Sequence, residues 1–445
     1  MDRIKRDGQN MGIFESLLKT QQGRLAKIEE IAQSGYEAKE MLQGYMKTSD
    51  EAEDVLARRY WAEATLGLLN RTESLKIWNR LGTENEVAQL SPAERSPDLE
   101  ESLGAFDLFV LGTKSGNPDE IGKAMDDIAA EIKLSIPDFD ALNVEQKSVF
   151  IVRTLRERGV VGNANEAEYH AMQNNFLSNA LLGHDKSSLP LQSTAIFVSV
   201  AKRLGLAANA CNFPTHIYSM VATQEPDAIY LDPWRHDRVV NTDILHTQLQ
   251  AVGIPTNAHD QYLAPALPRD IVLRTGRNIM RSWEEQRRGA LTANADVDYD
   301  LAFYSFLWSV LLVGGNENPE TNIHRRRSYL PYLLESFQTS FPEDAGLVEH
   351  YISRMFEHHP NRDDFFKLTT EMRTGDRNAR PIMRRDSKAR GVRYRVGQVF
   401  QHKRYGYVGV IVGWDTKCAA GEPWIAQMSV DALPNGRGQS FYNIL

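Results

Sequence analysis

Between Ser193 and Leu204 the residues Ala195, Ile196, Phe197, Val198, Val200, Ala201 and Leu204 are apolar on nearly every side of a helical wheel. A helix of that kind has no face to give to water, so the chain must enclose it on most sides. Enough chain is present to do so. Its 445 residues correspond to about three domains at roughly 150 residues each. A hydrophobic share of 42% with 25% charged residues supports a sizeable core and excludes a wholly disordered chain. The longest apolar run, Phe303 to Val313, falls short of the ~18 residues of a membrane span and reads as a second buried helix. The segment Met1 to Asp7 lacks the apolar core of a signal peptide. No membrane contact is expected, and the protein is expected in the cytoplasm or nucleus.

Helical patterning dominates the first part of the chain. Phe14, Leu17, Leu18, Gln21, Leu25, Ile28 and Ile31 share one face, and a second run spans Val55 to Leu69, ending near Asn70. A Pro/Ser-rich interruption from Leu90 to Asp98 suits a loop between units. Leu99 to Leu111, Ile121 to Ile132 and Val144 to Leu155 come next as short helices. Ile217 to Ala222 and Ala228 to Asp232 read as two strands. Helical patterning returns from Ala302 to Phe366.

The last ~50 residues switch to period two. Val408, Val410, Val412 and Trp414 alternate with Gly409, Ile411 and Gly413, and Trp424, Ala426, Met428 and Val430 alternate in the same way. Phe441 to Leu445 reads as a closing strand. A small, strongly bent antiparallel sheet or barrel is expected. Before it, Glu371 to Arg404 carries eleven Lys/Arg against three acids within a chain of net charge −8. With Gly, Pro and few large apolar residues between Arg373 and Gly391, this stretch is expected to be a basic linker.

Two cysteines, Cys211 and Cys418, exclude a disulfide framework and any multi-cysteine metal site. The histidines show no metal spacing of the His-Glu-x-x-His kind, so no metal or other cofactor is expected.

Ser187-Ser188-Leu189-Pro190-Leu191, Ala201 to Leu206, Asn212-Phe213-Pro214-Thr215-His216 and Tyr230-Leu231-Asp232-Pro233-Trp234, in that order, resemble the SirB-type branch of the transglutaminase-like superfamily over about Leu99 to Arg281. The resemblance implies a papain-like α+β fold. A cysteine at the start of a buried central helix, a histidine on one strand and an aspartate on the next would form its catalytic set. A helix N-terminus stabilises a thiolate, the imidazole takes the proton, and the carboxylate fixes the tautomer. His216 and Asp232 match the last two. The superfamily spacing, counted back from Gly205, lands near Pro190, which has no nucleophile. Nearby hydroxyls are Ser188, Ser193 and Thr194. Ser193, about one turn too late, is the displaced candidate. Cys211 comes after the helix and is read as a buried apolar side chain. His216 and Asp232 are therefore expected to be a structural pair or a vestige of catalysis, and the chain is expected not to be an enzyme.

The stretch Tyr394 to Asp415, continuing through Trp424, Met428, Gly436-Arg437 and Phe441-Tyr442, resembles the YccV/HspQ-type domain, known as a hemimethylated-DNA-binding domain. Lys403, Arg404, Tyr405, Tyr407, Trp414 and Arg437 are its candidate binding residues, cations for phosphates and aromatics for bases or peptide groups. Domains of this type continue past the position of Leu445 with a further strand, so an incomplete barrel with an exposed edge is expected.

The combination is similar to eukaryotic F-box proteins of the F-box-only family. Ile13 to Asn79 resembles the region C-terminal to the F-box in that family. No Leu-Pro-containing leader precedes Met11, so the resemblance does not extend to the element that docks on Skp1. The expected architecture is α+β and multidomain: a helical region (1–90), a papain/transglutaminase-like domain (99–281), a helical spacer (282–370), a basic linker (371–392) and the β domain (393–445). Three functions fit: a non-catalytic scaffold that recruits a protein partner or ubiquitination substrate to a ubiquitin ligase, a DNA-binding protein acting through the β domain and linker, or a hydrolase or acyl transferase with a displaced nucleophile.

Overall fold

Three helices, α1 (Asp2–Lys19), α2 (Arg24–Gln33) and α3 (Lys39–Met46), pack around the long α4 (Val55–Thr83). The single helical run expected from Phe14 to Ile31 is divided, because Gly23 enters α2 in the left-handed region at φ 66°. Helix α4 does not stop near Asn70. Asn70 and Arg71 lie buried inside it, and the helix continues because its second half packs against later elements. The computed structural model describes residues 2–52, 54–83, 97–114, 116–136, 138–162, 168–184, 186–223, 228–289, 296–314, 319–355, 362–379, 389, 391–403 and 405–445. Most of the expected loop from Leu90 to Asp98 lies outside these residues.

Asp98 caps α5 (Leu99–Leu111) by accepting from the Glu101 amide. Asn117 does the same for α6 (Pro118–Ser135), and Asn143 and Gln146 form a capping box on α7 (Val144–Glu157). A short α8 (Leu177–Leu182) precedes α9 (Pro190–Arg203), in which every residue from Pro190 to Ala201 is buried. Helices α5, α6 and α7 and the first strand of a sheet surround it, as its all-round apolar surface requires.

That sheet is antiparallel, in the order β1 (Ala208–Ala210), β2 (Ser219–Ala222), β3 (Ala228–Leu231) and β4 (Val239–Val240). The two inner strands match expectation; β1 and β4 are too short to leave a period-two signal. Ser219 pairs with Leu231, so the start of β2 and the end of β3 share one edge of the sheet. Helices α10 (Thr242–Ala251) and α11 (His259–Leu263) cover a small second core of Cys211, Phe213, Tyr218, Tyr230, Leu245 and Leu249.

Then come α12 (Pro268–Arg287), α13 (Tyr299–Val313) and α14 (Pro319–Ser340). Helix α13 is the apolar run around Phe303 to Val313, buried from Tyr304 onward. Helix α12 crosses the expected boundary at 281/282 and packs on both α13 and α5. One continuous core runs from Phe14 to Ile352 and includes Trp78, Phe106, Phe197 and Trp308. The helical region, the papain-like part and the spacer thus share an interior. The loop before Leu99 and the extent of the superfamily resemblance to Arg281 suggested their limits, but the helices on either side bury their faces against each other.

The expected basic linker begins inside a helix, Arg362–Arg377. Arg373 pairs there with Glu29 (3.0 Å) and Glu349 (2.6 Å), and Asp376 accepts from the Arg24 and Leu25 amides of α2. Residues 380–388 and 390 of that stretch lie outside the described residues.

At the C-terminus β5 (Val399–Gln401), β6 (Val408–Asp415) and β7 (Phe441–Ile444) form a three-stranded antiparallel sheet with a register shift between Ile411 and Gly413. The strand expected from Trp424 to Val430 is instead a helix, Glu422–Gln427, and then a tight turn at Val430–Ala432. Pro423 stands in its first turn, where the missing N–H costs nothing. Only Ile425 and Val430 of that run are buried, while Trp424 and Met428 are exposed, so the alternation did not mark two faces of a strand. The module rests on α4: Gly397, at φ 85°, leaves room for Leu56, which a Cβ there would approach to 2.7 Å.

A buried ion cluster ties α4 to the chain after α14. Arg71 donates to Glu343 Oε1 (2.7 Å) and to both oxygens of Asp344 (2.7 and 2.9 Å), and all three residues are buried. Arg71→Ala leaves two carboxylates buried without their cation and should cost about 3–5 kcal/mol. Urea unfolding monitored by circular dichroism will read this as a lowered midpoint; an unchanged midpoint would show that the cluster is not what holds α4 in place.

Candidate functional site

The pair His216–Asp232 is built by the sheet. His216 precedes β2 and Asp232 comes directly after β3, and their antiparallel pairing brings both to one edge. His216 Nε2 donates to Asp232 Oδ2 at 2.8 Å. Because the carboxylate accepts, Nε2 carries the proton in neutral imidazole and Nδ1 keeps the lone pair. The Asp232 side chain is 2% exposed and that of His216 is 13% exposed. Asp232 also accepts from the Arg235 amide (3.2 Å), and Tyr218 meets the imidazole edge to face at 4.9 Å.

The start of α9 is tied to the same edge. Trp234 Nε1 donates to the Ser188 carbonyl at 2.9 Å, joining the turn after Asp232 to the residues just before Pro190. Arg156 of α7 holds that turn from below through the Pro233 and Trp234 carbonyls (3.0 and 2.7 Å). Arg274 of α12 donates to the Phe213 and His216 carbonyls (both 2.9 Å), fixing the loop that carries the imidazole. Sequence reasoning missed Arg156 and Arg274. They lie far from the motifs in the chain and act through carbonyls, which leave no residue-type signature. Trp234 closes the Tyr230–Trp234 motif, and its indole N–H, which needs a partner when buried, was the available signal.

The superfamily resemblance puts its thiol near the start of α9, and the first residue of that helix is Pro190. Ser193 is fully buried, and its hydroxyl accepts from the Gly162 amide (3.0 Å) and bonds Ser188 Oγ (2.7 Å). Among the described residues His216 Nδ1 has no hydrogen-bond partner, and Ser193 is not brought to it. Cys211 follows β1 and makes an isolated antiparallel bridge to Pro265. Its thiol points to the Tyr262 carbonyl at 3.3 Å, and burial pushes its pKa up to about 12. A thiol held there is protonated at neutral pH and a poor nucleophile. The arrangement supplies a carboxylate-oriented imidazole that could accept a proton, beside a helix whose first residue, Pro190, carries no nucleophilic atom. Among the described residues no group of three or more His, Cys, Asp or Glu side chains is placed to hold a metal ion.

In the β module the candidate residues divide. His402 stacks on Tyr405 (5.0 Å) and Tyr407 (4.8 Å), and both tyrosines are exposed, as is Lys403 beside them. Arg404 lies outside the described residues. Trp414 pairs across the sheet with Tyr442. Arg437 is engaged within the module by Glu422 (2.6 Å) and Asp431 (2.7 Å), which compete with any phosphate for its guanidinium.

Fold and sites together define a chain that joins a transglutaminase-like α+β domain to a YccV-like β module. Family models agree: residues 119–277 match the transglutaminase-like superfamily, and residues 392–445 match the family described as "Hemimethylated DNA-binding protein YccV like". The chain is similar to F-box only protein 21 of Homo sapiens, 24% identical over 378 residues, which cover 81% of this chain and 55% of that protein. It is similar also to F-box only protein 21 of Mus musculus, 25% identical over 71% of this chain and 48% of that protein. The chain thus spans about half the length of the curated relatives it matches. No solved structure matches. Among the described residues no helix is long and apolar enough to cross a membrane.

The two thiols should separate cleanly under native labelling. Iodoacetamide should alkylate Cys418, which is partly exposed, and spare Cys211 until the chain is unfolded. Mass spectrometry of tryptic peptides will show this. Rapid native modification of Cys211 would mean that its pocket opens and that a cysteine mechanism has to be considered.

Proposed function

We propose that the chain is a non-catalytic interaction scaffold, equivalent to the substrate-recruiting part of an F-box-type ubiquitin-ligase subunit. The observation that carries this reading is Pro190 at the first turn of α9, where a papain-like enzyme would hold its thiolate. A carboxylate–imidazole pair without a nucleophile can orient and bond but cannot open an acyl-transfer pathway. The pair then serves as a clasp between the ends of β2 and β3. Similarity to the human F-box-only protein over 81% of this chain supports the assignment of class, and it implies protein partners.

The test pairs binding with turnover. The full chain, His216→Ala and Ser193→Ala should capture the same protein partners from a cell extract. None should hydrolyse amide or ester peptide substrates or transfer a glutamyl group to an amine. Any turnover that His216→Ala abolishes would overturn the scaffold reading.

DNA binding through the β module is the second reading. It is favoured by the family description and by Lys403 exposed beside the His402–Tyr405–Tyr407 stack. With Arg437 held by Glu422 and Asp431, affinity for a hemimethylated duplex should be weak. It should fall with salt at a log–log slope of about −1 to −2 and drop further in Lys403→Ala. Absence of any mobility shift at low salt would remove this reading.

A further inference from the structure

A cavity of about 440 Å³ opens between α12, α13 and α14, lined by residues of which none belongs to the His216–Asp232 pair or to the β module. That volume falls within the range of small-ligand pockets. Its floor is aromatic. Trp283 of α12 stacks on Phe303 of α13, with centroids 4.2 Å and planes 13° apart, and Tyr332 of α14, beside the helix-interior Pro331, is 55% exposed at the rim.

The charged groups around that floor are mostly acidic: Glu284, Asp300 and Glu335 against the single cation Arg287. The Asp300 carboxylate accepts only a long bond from Trp283 Nε1 (3.4 Å), and Glu284 has Arg288 at 3.7 Å. The Glu335 carboxylate has no partner among the described residues. Arg287 makes no ion pair with a described residue; its guanidinium lies over the Trp283 ring, 4.7 Å from the centroid. The chain therefore already lays a guanidinium on this aromatic face, with Asp300 and Glu335 beside it making no ion pair with a described residue. The ring face and the carboxylates both attract a cation, and they repel an anion. An apolar ligand would have to strip water from three carboxylates without replacing their hydrogen bonds.

We propose that this cleft binds an arginine or lysine side chain presented by an extended segment of a partner protein, with Arg287 as the internal group that the incoming cation displaces. The proposal rests on the scaffold reading and gives the partner its chemistry. The cavity is larger than one such side chain, so flanking residues of the segment enter with it.

The probe is an arginine–glycine nonapeptide titrated into the full chain, read by calorimetry and by the Trp283 indole N–H resonance, assigned with Trp283→Phe. An aspartate–glycine peptide of the same length is the control. The arginine peptide should bind, move the Trp283 indole and weaken with salt, and the aspartate peptide should do none of these. Glu284→Gln/Glu335→Gln should lower affinity about tenfold with an unchanged thermal midpoint. Arg287→Ala should raise affinity severalfold, an outcome that a misfolded variant cannot mimic. Absence of binding, binding that leaves the Trp283 indole unmoved, equal binding of the acidic peptide, or equal affinity in both sets of variants would each overturn the proposal. If partner capture from extract persists in Glu284→Gln/Glu335→Gln, the cleft assignment fails while the scaffold stands. A His216-dependent turnover would remove the scaffold reading and leave the peptide result untouched.

Discussion

The enclosure of α9 governs the rest of the structure. From Pro190 to Ala201 the helix has no exposed residue, so elements on every side must be complete before it is stable. Helices α5, α6 and α7 and strand β1 supply that enclosure. Once α9 is fixed, its N-terminus has one place to go. It meets the edge of the sheet where β2 begins and β3 ends, and the Trp234–Ser188 bond closes the junction. A helix start, an imidazole and a carboxylate converge there because of packing. The first residue of the helix at that point is Pro190.

The second constraint is electrostatic. Arg71, Glu343 and Asp344 are buried together, and their bonds join α4 to the chain beyond α14. A cluster of this kind adds little to stability compared with a well-packed apolar substitute, but breaking it strands charge. It therefore acts as a register lock. The same logic at lower burial joins Arg373 to Glu29 and Glu349, so the first part of the basic stretch is spent on the chain's own acids. Arg437 is likewise satisfied inside the β module. Arg373 and Arg437 are thus already committed within the chain, while Lys403 stays exposed.

Legibility tracked the range of the interactions. Helices with a buried stripe or strong caps, such as α5, α6, α7, α9 and α13, were visible because their signals lie within a few turns of chain. So were β2, β3, β6 and β7. The run from Trp424 to Val430 misled, since four apolar side chains at alternate positions mimic a strand, while Pro423 at the start favours a helix. The end set for α4 near Asn70 was wrong because a polar residue stops a helix only when it is solvated or turned aside, and here it is buried. His216 and Asp232 could be placed through the superfamily resemblance, and the structure brings them within hydrogen-bond distance. Arg156, Arg274 and the Trp283–Phe303 cleft could not, because their partners lie on distant helices.

By itself the sequence determined which segments must be buried, which two side chains would pair, and that no thiol stands at the helix start. Those facts depend on residue type and local spacing. Tertiary structure alone decided that the helical region, the papain-like part and the spacer share one core. It decided too that the Cys211 thiol points to the Tyr262 carbonyl and that an acidic, aromatic cleft opens between α12, α13 and α14. The physical reason is common to all three: each is set by which helix faces meet across long separations in the chain, and a side chain carries no local record of the surface it will be pressed against.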